Sequence, residues 1–329
     1  MRSADVTVEP CVSFVKLQLP AARIAAAALL LACCPAPFRT APERLAQWTT
    51  SLRDEQPDDA FAAVYKTGKR HLVFIGARHA NRTDSLTFEL IRNAYSAFRV
   101  DATIVEGSPT SRGPNFARLI EYASSAKVTD GFQEGGETIP AVMGAVQEGA
   151  TLWGGEPDDA DIKTRMLGEG FPSADLLGFY VLRSIPEWIR EKKLTEAGDP
   201  RLASLVEKEL ARNRQRLALG PDVLPSFTDW ADWYKATNGK PIGPSFAMEE
   251  TGPLSDGAFP SNRIAAAISR ARAAYLHEFI ISHLNAGETV LVVFGSSHLM
   301  IHRTALDAVL GSPCYVGSDI AAAAKNCAG

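Results

Sequence analysis

The stretch "HLVFIGARH", residues 71–79, decides the fold, because an apolar run ends there at a glycine and His79 follows three positions later. The chain repeats this arrangement near its other end, where "TVLVVFGSSH", residues 289–298, leads through a glycine to His298. A short apolar run bounded by glycine is typical of a buried strand. Two such strands, each ending in Gly-x-x-His, predict that both histidines face one cleft.

Strand patterns alternate with helical patterns through the globular part of the chain, which is typical of a parallel α/β fold. Further strands are predicted at "DATIVEG", residues 101–107, and "ATLWGGEP", residues 150–157. A helix is predicted between the strand that begins at His71 and the strand at residues 101–107, with Asp84 or Ser85 as its cap. We therefore predict an α/β fold with a mainly parallel central sheet flanked by helices, in a single domain over residues 61–329.

The middle of the chain differs from the rest. Amphipathic helical patterns lead there into a segment rich in proline, glycine and aromatic residues, 220–261. A segment of this length without clear periodicity is usually functional or flexible. We predict that residues 165–262 form a helical and aromatic insertion over the cleft. Its residues Trp230, Trp233 and Tyr234 have two interpretations, a lid or substrate platform over the cleft or the packed core of the insertion.

The first part of the chain has the pattern of an export signal. In "KLQLPAARIAAAALLLACC", residues 16–34, a basic flank precedes an apolar run that is much shorter than the roughly 20 residues a bilayer span requires. Residues 30–33 resemble the bacterial lipobox, in which the cysteine is lipidated. We predict a signal peptide over residues 1–32, a tether over 33–60 and a cell-envelope location through an N-terminal lipid, with simple cleavage and secretion as the alternative.

Composition limits the partners and the compartment. The formal net charge of −4 and the lack of a long basic run argue against a nucleic-acid partner. The apolar content of 46% is sufficient for a packed core. Cys314 and Cys327 could close a disulfide in an oxidising compartment, and two free thiols are the alternative.

An ionisable side chain follows each of four predicted strands, namely His79, Glu106, Glu156 and His298. Since the carboxyl ends of parallel strands share one edge of the sheet, where ligand crevices open, we expect these side chains in one cleft. Each of them alone also has a simpler interpretation, as a helix cap or a solvated turn residue. Two imidazoles and two carboxylates together suit general acid/base chemistry or one divalent metal ion.

The order of these motifs over roughly residues 64–310 resembles the superfamily of erythromycin esterases, Tiki-type metalloproteases, pheromone-shutdown (TraB) proteins and ChaN-like haem-binding lipoproteins. In that superfamily the two Gly-x-x-His motifs and a glutamate line the active cleft, and the matching residues here are His79, Glu106 and His298. The superfamily also has an arginine on the helix before the last strand, which Arg272 matches.

The chain departs from the superfamily at two positions. Ala273 stands where the family has Asp or Asn, and Ala77 stands where erythromycin esterases have Glu, which loosens the link to the esterase branch. Arg272 can also be judged from its neighbours, because Ile268 and Tyr275 share its face of the predicted helix. A guanidinium on an apolar face requires an anionic partner, so we expect Arg272 to pair with a glutamate of the cleft.

These residues predict an exported, lipid-anchored hydrolase that acts on an ester or peptide-type bond in a small-molecule or peptide substrate. His79 is the expected general base toward water, and His298 protonates the leaving group. Glu106 orients an imidazole, Glu156 does likewise, and Arg272 stabilises developing negative charge. In a metal-assisted version, His79, Glu106 and His298 bind Zn or Mn. The alternative, implied by the ChaN-like branch, is an envelope lipoprotein that binds haem or another small ligand.

Overall fold

A computed structural model describes residues 37–79, 81–190 and 192–328. The predicted signal peptide and the lipobox cysteine lie outside the described residues. The part of the chain from Phe38 onward forms one compact unit. Within the described ranges, no helix combines the length and the apolar character that a membrane span requires.

Strands and helices alternate along the described residues. The strands are β1 Phe61–Thr67, β2 Arg70–Ala77, β3 Ala102–Pro109, β4 Val128–Thr129, β5 Phe132–Gln133, β6 Thr151–Glu156, β7 Val290–Gly295 and β8 Tyr315–Gly317. The α-helices are α1 Thr50–Asp54, α2 Leu86–Ala97, α3 Ala117–Ser125, α4 Thr138–Glu148, α5 Asp159–Gly168, α6 Ser173–Leu182, α7 Ile185–Arg190, α8 Leu202–Arg216, α9 Phe227–Asn238, α10 Ser261–Asn285, α11 Ser296–Leu310 and α12 Ile320–Asn326. Short 3-10 helices lie at Pro42–Arg44, Thr110–Arg112 and Met248–Thr251.

Six strands of the described chain form the central sheet, in the order β6-β3-β7-β2-β1-β8. Strands β6, β3, β7 and β2 are parallel neighbours. Strand β1 runs antiparallel to both β2 and β8. The sheet is therefore mainly parallel, which confirms the predicted fold class, and the four parallel strands end at one common edge.

Helices cover both faces of this sheet. Val73 and Ile75 of β2 belong to an apolar layer that includes α2, α4 and α12. Leu72 and Phe74 of the same strand belong to the opposite layer, with α10 and α11. Because both faces are buried, the strand sequence is continuously apolar and does not alternate with polar residues.

Close packing explains the glycine of the first Gly-x-x-His motif. Helix α11 begins directly after β7, so His298 lies in its first turn. A Cβ atom at Gly76, near the end of β2, would stand 3.0 Å from the Cα of Ser296. Only a glycine allows β2 to approach the start of α11 this closely. The approach brings the segment that carries His79 to the same edge of the sheet as His298.

A second apolar core holds the middle of the chain together. It is built from α5 to α9 and the beginning of α10, which covers the region predicted as an insertion over residues 165–262 and extends a few residues beyond each of its ends. Trp230 and Tyr234 are completely buried in it, and Trp233 is nearly so. The Nε1–H of Trp230 donates to the carbonyl of Gly178. These aromatic residues pack the insertion and do not line the cleft, so their interpretation as a lid or platform is wrong.

Residues 37–60, expected to be part of a tether, instead pack on the domain. The N–H of Ala46 donates to a carbonyl of α11 over 3.0 Å, and the carbonyl of Trp48 accepts from the N–H of Ser255 over 2.8 Å. The polar, proline-containing sequence does not reveal this packing, because backbone hydrogen bonds rather than a run of apolar side chains attach the segment.

Cys314 and Cys327 form a disulfide, with their Cα atoms 5.4 Å apart. This settles the two alternatives that the sequence leaves open in favour of the bond. The disulfide ties the segment before β8 to the end of α12, at the edge of the sheet farthest from β6.

Candidate active site

The structure brings all five sequence-predicted site residues to the carboxyl edge of the sheet. His79, Glu106, Arg272 and His298 line one cleft of about 290 Å³, which we call the histidine cleft. Glu156 lies behind Arg272 and lines a neighbouring space of about 270 Å³, the arginine cleft, which Arg272 also borders.

His79 is oriented by a residue that the sequence analysis missed. Its Nδ1 lies 2.6 Å from Oε1 of Glu137, the residue just before α4. This hydrogen bond raises the pKa of His79 above 6.5, with partial burial opposing it and the charges of Glu137 and Glu106 adding to it. The Nε2 atom has no hydrogen-bond partner among the described residues. We infer the tautomer from these contacts, with the proton on Nδ1 and the lone pair on Nε2.

The Nε2 atom of His79 and a carboxylate oxygen of Glu106 meet at Gly295. A Cβ atom on this glycine would stand 3.1 Å from Nε2 and 3.5 Å from Oε2 of Glu106. A side chain at residue 295 would therefore occupy the space between the imidazole and the carboxylate. The glycine of the second motif keeps that space open.

Glu106 is a fixed carboxylate. Its Oε2 accepts the N–H of Gly295 over 2.8 Å, and its Oε1 accepts from Nη2 of Arg272 over 3.2 Å. Nε2 of His298 lies 3.5 Å from the same Oε1. Burial by itself raises the pKa of Glu106, but His298, Arg272 and the Gly295 N–H together lower it well below its ordinary range. Glu106 is therefore ionised and is suited to hold cationic groups rather than to donate a proton.

Arg272 makes the ion pair that its helix position predicts, and it pairs with both glutamates. Its Nε and Nη2 atoms donate to the two oxygens of Glu156 over 2.8 and 2.5 Å. Burial by itself lowers the pKa of Arg272, but Glu156 and Glu106 raise this pKa by more than burial lowers it. The guanidinium therefore stays charged. Its Nη1 atom donates to no acceptor in the described part of the chain. The predicted pairing of Arg272 with the cleft glutamates is confirmed, and the pair is partly buried, with 28% of the Arg272 side chain exposed.

His298 is almost fully buried, with 6% of its surface exposed. One ring nitrogen faces Glu106, and the other, Nδ1, has no partner among the residues that the structure describes. The carbonyl of His298 contacts Nδ1 of His302 at 2.6 Å, and the other nitrogen of His302 lies 3.1 Å from the carbonyl of Ala273. His302 thus joins α11 to α10 next to Arg272, which positions both site helices.

As arranged, the three predicted metal ligands do not form a coordination shell. Within residues 37–79, 81–190 and 192–328, no group of three His, Cys, Asp or Glu side chains is placed to hold a metal ion. Glu106 directs its oxygens to Gly295, Arg272 and His298 instead. Only His79, with a carboxylate on Nδ1 and a free Nε2, has the environment typical of a ligating or a basic histidine. The binding of Zn or Mn by these residues stays a prediction.

Sequence reasoning missed further residues that line the histidine cleft, because they come from segments without strand signals. Trp48 belongs to the segment before β1, and Arg183 follows α6. Glu137 lies in a glycine-rich loop, and the only signal for it was the composition of that loop. No protein-family model, no curated protein and no solved structure matches the chain.

Proposed function

We propose that the chain is a hydrolase that uses His79 as the general base on an ester or peptide-type bond. The observation that carries this proposal is the pairing of His79 Nδ1 with Glu137, which leaves Nε2 free in the histidine cleft. A base that is oriented by a carboxylate is the arrangement that activates water or a hydroxyl nucleophile. The superfamily resemblance points to the same reaction class.

In the proposed reaction, Nε2 of His79 takes a proton from a water molecule in the cleft while the water oxygen attacks the carbonyl carbon. The carboxylate of Glu137 stabilises the imidazolium that forms. The imidazolium then returns the proton to the leaving alkoxide or amine as the bond to the carbonyl carbon breaks. Proton transfer of this kind contributes roughly 10²–10⁴-fold in rate.

The remaining groups position the reaction. Glu106 holds His298 and Arg272 at the cleft wall, and Glu156 fixes the guanidinium plane of Arg272 through two hydrogen bonds. The unpaired Nη1 of Arg272 is the donor that stabilises the negative charge developing on the carbonyl oxygen. His298 is the second group able to deliver a proton to the leaving group.

We also infer that the protein works in the cell envelope, attached by an N-terminal lipid. The disulfide between Cys314 and Cys327 supports this location, since such bonds persist in oxidising compartments. The sequence pattern of residues 16–34 is the other support. Intact-mass analysis of protein expressed with its own N-terminus tests the inference, because the mature chain is expected to begin at Cys33 and to carry acyl groups.

The activity is tested with purified protein on chromogenic esters and fluorogenic dipeptides, each with EDTA and with added Zn²⁺ or Mn²⁺. Wild type is expected to turn over a member of the panel, and His79→Gln is expected to lose at least 100-fold. His283→Gln is the matched control, because His283 pairs with Glu288 but does not line the histidine cleft.

The hydrolase proposal would be rejected if neither wild type nor His79→Gln turned over any substrate, or if the two proteins hydrolysed a substrate at equal rates. Loss of wild-type activity in EDTA, restored by Zn²⁺ or Mn²⁺, would restore the metal-assisted version. A titration with haem covers the ligand-binding alternative. A Soret band that disappears in His79→Gln would favour that alternative over the enzyme.

A further inference from the structure

Arg183 follows α6 and lies at the boundary of the two clefts. It lines the histidine cleft together with His79 and His298, and it also lines the arginine cleft together with Glu156. Its side chain is exposed and rests on the ring of Tyr180, with the guanidinium carbon 4.1 Å from the ring centroid. A guanidinium that stacks on an aromatic ring is held in one orientation while its N–H groups remain free.

The other charged groups around Arg183 already have partners. Arg272 pairs with Glu156 and Glu106, and Arg216 pairs with Asp159. In contrast, no carboxylate of the described residues lies within ion-pair distance of Arg183. It is therefore a positive charge at the clefts that no side chain of the described chain neutralises.

Two carboxylates that line the arginine cleft are hydrogen-bonded to groups other than Arg183. Asp159 accepts from Arg216 and from the hydroxyl of Tyr180. Asp158, which lines the arginine cleft, accepts from the hydroxyl of Ser111 over 2.6 Å. Partial desolvation of the guanidinium and the charges of Arg216 and Arg272 lower the pKa of Arg183, and Tyr180 and Asp159 oppose this shift. Three carboxylates and three guanidiniums line the arginine cleft, and among these guanidiniums Arg183 is the one that makes no ion pair with a described residue.

We propose that Arg183 binds an anionic group of the substrate, a carboxylate or a phosphate, and so selects acidic esters or amides. This inference rests on the proposed hydrolase function and names the substrate class of the same cleft. The planar guanidinium presents two parallel N–H groups, which match the two oxygens of such an anion. An anion on Arg183 leaves the rest of the substrate in the histidine cleft, where Nε2 of His79 is free.

This placement gives the arginine cleft a role in recognition. The arginine cleft takes the charged end of the substrate, and the histidine cleft takes the bond that is hydrolysed. Arg272 borders both clefts but is already neutralised by two glutamates. It therefore contributes less attraction for the anion than Arg183 does.

Anion binding is measured first without turnover, by titrating inorganic phosphate and, separately, acetate at low ionic strength and following arginine side-chain NMR signals. Arg183→Gln is expected to weaken binding about tenfold or more, and Arg183→Glu is expected to abolish it. The matched control is Arg112→Gln, since Arg112 also stacks on an aromatic ring and is exposed, but does not line either cleft. Comparison of phosphate with acetate shows which anion fits better.

The second arm compares the nitrophenyl monoester of succinate with the neutral nitrophenyl butyrate. The ratio of kcat/KM for the acidic ester to that for the neutral ester is expected to exceed ten in wild type, to fall toward one in Arg183→Gln and to reverse in Arg183→Glu. Arg112→Gln is expected to keep the wild-type ratio.

The two proposals fail in different ways. Hydrolysis with equal preference for both esters, and unchanged anion binding in Arg183→Gln, would overturn the role of Arg183 while the hydrolase stands. Anion binding that depends on Arg183, without hydrolysis of any ester or peptide, would support the subsite and reject the hydrolase. If the protein hydrolyses esters but wild type, Arg183→Gln and Arg183→Glu bind the anion equally, the anion-binding role of Arg183 is again overturned.

Discussion

Nδ1 of His79 lies 2.6 Å from Oε1 of Glu137, although 58 positions separate the two residues in the chain. The histidine follows the second strand of the sheet, and the glutamate precedes α4. The contact therefore depends on the packed α/β fold and cannot form locally. It orients an imidazole that keeps 69% of its side chain accessible.

The first prediction concerns the pKa of His79. Because the hydrogen bond to Glu137 is the main cause of the raised value, Glu137→Gln is expected to lower the pKa of His79 toward 6.5. A raised pKa means that this pair stabilises the fold fully below pH 6.5 and loses its contribution as the pH rises through the folded value. An NMR titration of the imidazole measures the change.

Glu288→Gln serves as the control for this titration, because Glu288 pairs with His283 and not with His79. The control is expected to leave the His79 titration as in wild type. A wild-type pKa at or below 6.5 for His79 would contradict the role assigned to Glu137.

The second prediction tests the space that Gly295 leaves between His79 and Glu106. In Gly295→Ala the new Cβ would stand 3.1 Å from Nε2 of His79, so the exposed imidazole is expected to move by a few tenths of an ångström. A misplacement of about 1 Å in a site can lower a rate by about 10²-fold, and a smaller shift is expected to lower it by less. We expect at least a tenfold loss of kcat/KM with a thermal midpoint close to wild type.

Gly154→Ala is the contrasting variant. Its Cβ would stand 2.2 Å from the carbonyl oxygen of Ser108, which is backbone of the neighbouring strand and cannot move aside. We expect this substitution to destabilise the whole sheet. Similar thermal midpoints for the two variants would show that the space at Gly295 has no special role.

The positions of the site residues on strands could be predicted from the sequence, because the carboxyl ends of parallel strands share one edge of the sheet. His79, Glu106 and Glu156 follow continuous apolar runs, so their convergence needs only the fold class. Ser85 was also a correct cap, since its side chain accepts from the N–H of Phe88. Strands β1 and β8 were not predicted, and β8, a segment of three residues, has no periodicity to detect.

Residues from loops could not be predicted in the same way. Glu137 lies after two glycines with positive φ, Gly135 and Gly136, where neither helical nor strand periodicity operates. Arg183 ends a helix of the insertion, whose packing on the sheet depends on long-range contacts. Nothing in the local sequence of either residue indicates the direction of its side chain.

The third prediction compares two arginines on α10. Arg272 has 28% of its side chain exposed and pairs with two glutamates, whereas Arg270 and its partner Glu169 are both 40% exposed. Arg272→Ala leaves Glu106 and Glu156 partly buried without their cation and is expected to cost about 3 kcal/mol. Arg270→Ala is expected to cost about 0.5 kcal/mol. Urea unfolding of the two variants decides the matter, and equal small losses would contradict the ion-pair argument.

The fourth prediction concerns the disulfide between Cys314 and Cys327. Closing a loop of this length restricts the unfolded chain and stabilises the fold by about 3 kcal/mol. The double variant Cys314→Ser/Cys327→Ser is expected to lose this amount in denaturant unfolding. Dithiothreitol should lower the stability of wild type to that of the double variant and leave the variant unchanged. An identical effect of the reductant on both proteins would show that it acts elsewhere.

The last prediction follows from His277, which is completely buried on α10. Its Nε2 accepts the N–H of Ala41 over 3.4 Å, which requires a neutral ring, and its Nδ1 has no partner in the described ranges. Burial lowers the pKa of His277 to about 4, with Glu43 opposing the shift.

The unfolded chain therefore binds a proton at His277 near pH 6.5, whereas the folded chain does so only near pH 4. The contribution of His277 to stability is complete above pH 6.5 and is lost as the pH falls toward 4, at about 1.4 kcal/mol per pH unit. His277→Gln keeps an acceptor but cannot titrate. The free energy of unfolding of this variant is therefore expected to change less steeply with pH than that of wild type, by up to the slope that one bound proton contributes. His302, whose pKa burial lowers to about 3, titrates in the same direction and stays in the variant, so the slope is reduced and not abolished. Urea unfolding of wild type and His277→Gln at pH 7, 6 and 5 measures the two slopes, and equal slopes would mean that His277 is not held neutral by burial.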